Sequence, residues 1–280
     1  MPRLTIRELG ALKGKGERLV ALTAYDAPSA RLADAAGVDL LLVGDSVAMV
    51  VLGMPNTLEV TMDEMIHHCR AVARGSERAH VVLDMPFMSY QTGDDDAVRN
   101  AGRALKEGGA QSIKLEGGVK IAPVVERLVD IGIPVMGHVG LRPQAVHQVG
   151  GFRTQGTDAQ SADAVIADAE AVAAAGAYAM VLEKIPAELA EFITHHVQIP
   201  TIGIGSGPHC DGQVLVLHDM LGFDARFHPK HSKRYASLDT VITDAVRRYA
   251  GEVRDGSFPG AEQSVSAGDA LRDHLRARTG

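Results

Sequence analysis

Seven short apolar runs in this 280-residue chain close on polar side chains: Asp26, Asp45 with Ser46, Asp84, Lys114 with Glu116, His138, Glu183 and His218. Lys114 and Glu116 are two residues apart, so in an extended strand both project from one face. Asp45, Asp84 and Glu116 end three consecutive runs. Brought side by side, three carboxylates repel, and proteins resolve such clusters by protonation, by basic partners or by a hard cation. Oxygen-only donors favour Mg²⁺ over zinc. A 2-keto acid can fill the open positions of such an ion with its carboxylate and keto oxygens, which places the metal where enolate charge develops. Any one of these Asp residues has a plainer reading as the N-cap of a following helix; three on neighbouring strands point to a site. Lys114 reads as a contact to the substrate carboxylate or keto oxygen, or as an ion-pair partner of Glu116. Glu183 is the general-base candidate, its plainer reading being a rim salt bridge with Lys184 or Lys114. His138 reads equally as a donor to substrate and as a satisfied rim residue.

The elements that must position these groups follow a βα rhythm. β-branched apolar runs recur at 19–26, 40–46, 80–86, 112–117, 134–140, 179–185, 200–206 and 214–221. They are continuously apolar rather than alternating, as parallel strands covered on both faces are. Helical stretches are predicted at 27–36, 62–73, 95–106, 121–131, 158–175, 187–196 and 238–249, and Gly37, Gly75, Gly108, Gly132 and Gly176 follow five of them as C-terminal caps with positive φ. The fold expected is a single (β/α)₈ TIM barrel with a short N-terminal helix, residues 1–262 forming the barrel domain and 263–280 a peripheral tail. Its C-terminal mouth would gather all the residues above. The last unit is the shortest: between 206 and 214 a seventh helix has room only if abbreviated, or begun at 211–216. A doubly wound sheet ranks second, because no early glycine-rich turn has dinucleotide spacing, and Gly203-Ile204-Gly205-Ser206-Gly207 fails that pattern at Pro208.

Composition narrows the partners. Hydrophobic residues make up 46% of the chain and charged residues 22%, enough apolar surface for a large core. A net charge of −7 argues against nucleic acid, whose phosphates call for clustered Lys and Arg. Cys69 and Cys210 are the two cysteines, in no C-x-x-C arrangement, which suits a reducing cytosol. Residues 1–16 hold no secretory apolar stretch, and no run approaches the ~20 residues of a membrane span. A cytoplasmic protein with no membrane contact is expected. The histidine pairs His67-His68 and His195-His196 fall on predicted helices, where adjacent side chains diverge and cannot share one ion.

Several blocks in order resemble the ketopantoate hydroxymethyltransferase family: Thr23-Ala24-Tyr25-Asp26, Leu42-Val43-Gly44-Asp45-Ser46, Asp84-Met85-Pro86-Phe87-Met88, Lys114-Leu115-Glu116-Gly117-Gly118, Gly137-His138-Val139-Gly140-Leu141, Gly203-Ile204-Gly205 and Asp211-Gly212-Gln213-Val214-Leu215-Val216. The likeness covers roughly residues 4–262. It implies transfer of a hydroxymethyl group from the co-substrate 5,10-methylenetetrahydrofolate to 2-ketoisovalerate (3-methyl-2-oxobutanoate) through a Mg²⁺-stabilised enolate, giving ketopantoate for pantothenate and coenzyme A synthesis. It further implies that Asp45 and Asp84 bind the metal with Glu116 supporting it, that Ser46, Asp84 and Lys114 contact the keto acid, and that Glu183 removes the proton from the branched carbon. Members are large homo-oligomers, which implies a decamer. The chain departs from the family pattern at Ser206, His231 and Gln263-Ser264-Val265, and it extends past the usual end. Three other functions compete: a Schiff-base aldolase using Lys114, a different Mg²⁺-dependent keto-acid barrel, and a non-catalytic metabolite-binding barrel.

Overall fold

The computed structural model describes residues 2–226 and 229–279. Eight strands, β1 (Leu19–Thr23), β2 (Leu40–Val43), β3 (His80–Asp84), β4 (Ser112–Glu116), β5 (Val135–Gly140), β6 (Ala179–Glu183), β7 (Thr201–Ile204) and β8 (Gly212–Leu215), pair in sequence order and close into a parallel barrel. Helices α1 (Ile6–Lys15), α2 (Ala27–Ala35), α3 (Val47–Val50), α4 (Met62–Gly75), α5 (Asp94–Lys106) and α6 (Ala122–Asp130) accompany the first half. In the second half lie α7 (Val146–Val149), α8 (Ala159–Ala174), α9 (Ala187–His196), α10 (Leu217–Leu221), α11 (Leu238–Asp255) and α12 (Asp269–Thr279). One compact unit runs to Met220 and includes Pro229–Lys233; a second takes in the segment from Leu221 and the chain from Arg234 onward, with α11 and α12. No described helix is long and apolar enough to cross a membrane.

Strands β2, β3 and β4 are buried at every position, which is why they read as unbroken apolar runs. Leu19, Ala21, Leu40, Leu42, Val82, Met136, Ala179, Val181, Ile202 and Val214 pack into one core cluster. Several of these are two residues apart, as the pleat requires of one strand face. Continued toward the C-terminal ends, the same face reaches Asp84 from Val82, His138 from Met136 and Glu183 from Val181. At the N-terminal end of β3, Leu4 N–H donates to the Arg78 carbonyl (2.8 Å) and the His80 ring meets the Leu4 carbonyl (2.9 Å). From there α1, begun by a Thr5–Glu8 capping box, sends Leu9 into the core cluster.

The eighth unit differs from expectation. No helix separates β7 from β8, and 211–216 is largely strand rather than a helix start. Asp211 accepts the Thr201 N–H (2.8 Å) and pairs with Lys13 (3.1 Å), which fixes the short return. A Cβ on Gly212 would stand 2.5 Å from the Leu19 carbonyl oxygen, so β8 approaches β1 too closely there for a side chain. The second part of the run expected at 214–221 is α10.

Gly37, Gly132 and Gly176 take positive φ as predicted, while Gly109 rather than Gly108 does so after α5. Gly75 differs: it is the last residue of α4, and a Cβ there would lie 2.3 Å from the Ala27 carbonyl oxygen, at the first turn of α2. Gly75→Ala is therefore expected to lose about 1–3 kcal/mol through forced separation of two helices. Gly10, inside α1 with no atom near its missing Cβ, should gain up to about 1 kcal/mol as Ala. Urea unfolding of the two variants reads both signs.

Asp34, in the last turns of α2, accepts the backbone N–H groups of Glu77 (2.8 Å), Arg78 (3.1 Å) and Ala79 (2.6 Å) and so anchors the turn into β3. Partial burial raises its pKa, but these three donors and Arg78 outweigh it and hold the carboxyl below its ordinary value. A lowered folded-state pKa gives stability that is complete above the unfolded value near ~3.9 and disappears as pH falls through the folded one. Asp34→Ala should cost about 1 kcal/mol at neutral pH, solvent screening included. Thermal melts of wild type and variant should converge as pH drops below about 4; a constant gap would contradict this role for the carboxylate.

Candidate active site

The strand ends on the β2 to β6 side of the barrel bring six ionisable groups together. Register places Asp84 beside Lys114, Glu116 beside His138, and Gly140 beside Glu183. Asp45 follows β2 directly after Gly44, and its backbone N–H points at Asp84 Oδ2 (3.3 Å). Lys114 Nζ sits 2.8 Å from Asp84 Oδ1, 3.9 Å from Glu116 Oε1 and 3.0 Å from His138 Nδ1. His138 then spans the gap: Nδ1 is 3.5 Å from Glu116 Oε1 and Nε2 is 3.2 Å from Glu183 Oε2. Glu183 thus joins the acid cluster through one imidazole. Asp45, Asp84, Lys114, Glu116 and His138 are buried, and the Glu183 side chain retains 15% exposure.

Burial dominates the electrostatics. Desolvation, then the Asp84 and Glu116 charges, push the Asp45 carboxyl well above its ordinary value. Burial raises Asp84 too, against the pull of Lys114. Glu116 is the exception: burial raises it, but His138, Lys114 and the Gln144 N–H outweigh that and lower it. Burial and the Lys114 charge push His138 down, yet Glu116 and Glu183 hold it up at about 9. Lys114 stays firmly protonated, because three carboxylates overcome its desolvation.

Among the described residues, no three acid, histidine or cysteine side chains converge on one ion position. The three predicted carboxylates share a cluster, but Glu116 is engaged otherwise: Oε2 accepts the Gln144 N–H (3.0 Å) and Oε1 faces His138 and Lys114. Asp84 Oδ1, Glu116 Oε1 and His138 Nε2 are buried with contacts outside hydrogen-bond geometry, so His138 meets Glu183 as an ion pair. Hard oxygen donors, two buried carboxylate oxygens met by Lys114 and His138 only off hydrogen-bond geometry, and an Asp45 carboxyl raised by burial and then by its like-charged neighbours fit a divalent cation that needs only one or two carboxylates and fills its shell with water or substrate.

Two tyrosines and a glutamine complete the site; Tyr25 stands in one of the resembling blocks, whereas Tyr90 and Gln144 fall outside them. Tyr25 OH lies 2.9 Å from Ser46 Oγ and so orients that hydroxyl. Gln144, in the 3-10 turn Pro143–Ala145 after β5, donates its side-chain amide to Asp45 Oδ2 (3.1 Å) and the Met85 carbonyl (2.9 Å) and accepts from Tyr90 OH (2.8 Å). Tyr90 OH also meets the Glu116 backbone. Asp26 is a helix cap, accepting the Ser29 N–H at 2.7 Å. His218 lies on α10 with its ring 5.4 Å from that of Tyr25. Of the histidine pairs, His68 bonds the Tyr25 carbonyl and His196 pairs with Glu170 on the surface.

A closed parallel barrel with an acid, lysine and histidine cluster at its C-terminal mouth defines an α/β-barrel enzyme. Residues 3–261 match the ketopantoate hydroxymethyltransferase family, and the chain belongs to it, an enzyme of the hydroxymethyltransferase class. It is 53% identical over 275 residues to a 3-methyl-2-oxobutanoate hydroxymethyltransferase of Carboxydothermus hydrogenoformans, covering 98% of this chain and 100% of that one. A Chloroflexus aurantiacus protein of the same description is 56% identical over 94% of this chain and 92% of its own length. Among solved structures, a phosphoenolpyruvate phosphomutase from Streptomyces platensis superposes with a TM-score of 0.62 at 16% identity, covering 99% of this chain and 96% of that one. A 2,3-dimethylmalate lyase of the PEP mutase/isocitrate lyase superfamily gives 0.57 at 17%, covering 98% and 99%. At such identity these two speak to the fold.

Proposed function

We propose that the chain transfers a hydroxymethyl group from 5,10-methylenetetrahydrofolate to 2-ketoisovalerate, giving ketopantoate for pantothenate and coenzyme A synthesis. The observation that carries this reading is Glu183, partly open to solvent and linked through His138 to the buried Asp45, Asp84, Lys114 and Glu116 group, in a chain more than half identical to 3-methyl-2-oxobutanoate hydroxymethyltransferases. Asp45 and Asp84 would hold Mg²⁺, with Glu116 supporting them through Gln144 and Lys114. Bound there, the ion supplies positive charge at the keto oxygen, where negative charge develops on deprotonation. Lys114 and Ser46 bind the keto acid, Ser46 oriented by Tyr25. Glu183 takes the proton from the branched carbon, and His138 holds its carboxylate in place. The electron pair left on that carbon forms the bond to the donor's one-carbon unit; both carbon–nitrogen bonds of that unit break, water supplies the hydroxyl oxygen, and the proton from the branched carbon and the two from water end on the new hydroxyl and on the two nitrogens of the departing tetrahydrofolate.

Two further assignments accompany this one. The cytoplasm is the proposed location, from two buried, unpaired thiols. A homo-oligomer, a decamer as in the family, is proposed to cover the apolar stripe Val241, Ile242, Val246, Tyr249 and Val253, all exposed on α11; a monomer in sedimentation at micromolar concentration would remove it.

The test of function is incubation with 2-ketoisovalerate, methylenetetrahydrofolate and Mg²⁺ followed by mass spectrometry. Ketopantoate formed only with all three present supports the reading, and its absence from the complete mixture sinks it. Turnover of the keto acid without the folate would favour a different keto-acid barrel. Borohydride trapping of keto acid on Lys114 would favour a Schiff-base aldolase, and binding without turnover a metabolite-binding barrel.

A further inference from the structure

Lys184, the residue after Glu183, holds φ at +46°, one of two described non-glycine residues with positive φ. A lysine is kept in that region only where its surroundings over-determine it, and here three of its polar groups are engaged. Its N–H donates to the Ile204 carbonyl on β7 (2.9 Å), its carbonyl accepts the Gln155 N–H (2.9 Å), and Nζ donates to the Phe152 carbonyl (2.7 Å). The loop 141–156 therefore leaves the barrel at Glu183, whose carbonyl accepts the Leu141 N–H (2.8 Å), and returns to it at Lys184. Its near arm is fixed independently, by Gln144 on Asp45 and Glu116. Its far arm carries Gly150 and Gly151, both with positive φ, and then Phe152, which is 45% exposed. On that arm the ammonium of Lys184 is a side-chain anchor to the strand end.

We propose that Lys184 is a positioning residue that fastens the Phe152-bearing arm at the mouth, where the phenyl ring offers an apolar face to a flat heteroaromatic one-carbon donor. This rests on the folate-dependent reading above. Stacking on an exposed aromatic ring suits a pterin-like ring system, and the keto acid binds among other groups, so donor and keto-acid steps separate. Lys184→Gly keeps the backbone free to adopt positive φ while removing the anchor, and Lys184→Arg restores a cationic donor.

Two readouts test it. Arg153 is exposed beside Phe152, so trypsin should cut after it at least fivefold faster in Lys184→Gly than in wild type, with Lys184→Arg within twofold of wild type. The KM for methylenetetrahydrofolate should rise about tenfold in the Gly variant and recover in the Arg variant, while deuterium exchange into 2-ketoisovalerate without donor stays within twofold. Unchanged proteolysis and donor KM would overturn the proposal, as would exchange falling in parallel with transfer, which would place the lysine's effect on Glu183 itself. Failure of the function reading is distinct: wild type would then form no ketopantoate, and the proteolysis comparison would still decide whether Lys184 anchors the arm.

Discussion

Glu183→Gln is expected to lower turnover about a thousandfold, within the range by which a positioned general base accelerates proton transfer. The amide keeps the size of the carboxylate and can still meet His138 Nε2, now 3.2 Å from Oε2, but it cannot accept the substrate's proton. Because Glu183 is separate from Asp45 and Asp84, keto-acid affinity should stay within about threefold, which puts the loss in kcat rather than KM. Isothermal titration and steady-state kinetics on one preparation separate the two quantities. A variant with wild-type kcat would remove Glu183 from the role; a large loss of affinity would recast it as a binding residue.

The second large effect concerns Asp45, and it carries an unusual sign. Its carboxyl is fully buried against Asp84 and Glu116 and raised well above its ordinary value, so without a cation it opposes the folded state. Asp45→Asn relieves that repulsion and can still pair with the Gln144 amide through its own carbonyl, so the cation-free protein should melt no lower than wild type. Cation affinity should fall about a hundredfold, as expected where one of few ligands is lost. At Mg²⁺ near 100 times the wild-type Kd, wild type gains about 2.7 kcal/mol and the variant only about 0.4 kcal/mol. Melting curves with and without Mg²⁺ read both halves. Equal Mg²⁺ stabilisation of the two proteins would exclude Asp45 as a ligand.

Much of this architecture is legible in the residues because parallel strands buried on both faces leave unbroken apolar runs. The barrel's pleat then carries that legibility to the site: Asp84, His138 and Glu183 each stand two positions beyond an inward core residue, so a polar residue closing such a run belongs to the mouth. The eighth strand was displaced toward Gly212 because its position depends on close approach to β1, a packing constraint with no local pattern. Gln144 lies in a single 3-10 turn (Pro143–Ala145) and Tyr90 in a loop, both too short for a periodicity that assigns direction, yet they decide how Glu116 and Asp45 are held. The expectation that three carboxylates face one spot followed from strand adjacency. Adjacency fixes Cα spacing; the intrusion of Lys114 and the Gln144 N–H set where each carboxylate oxygen goes.

The most direct test of the central claim is proton exchange at the branched carbon of 2-ketoisovalerate, followed by NMR in D₂O with the protein and Mg²⁺ and no one-carbon donor. A carboxylate base beside a cation-held keto acid should wash out that methine signal, with chelator stopping the exchange. Exchange that persists undiminished after chelation, or a methine that stays protonated while ketopantoate accumulates once donor is added, would contradict the account.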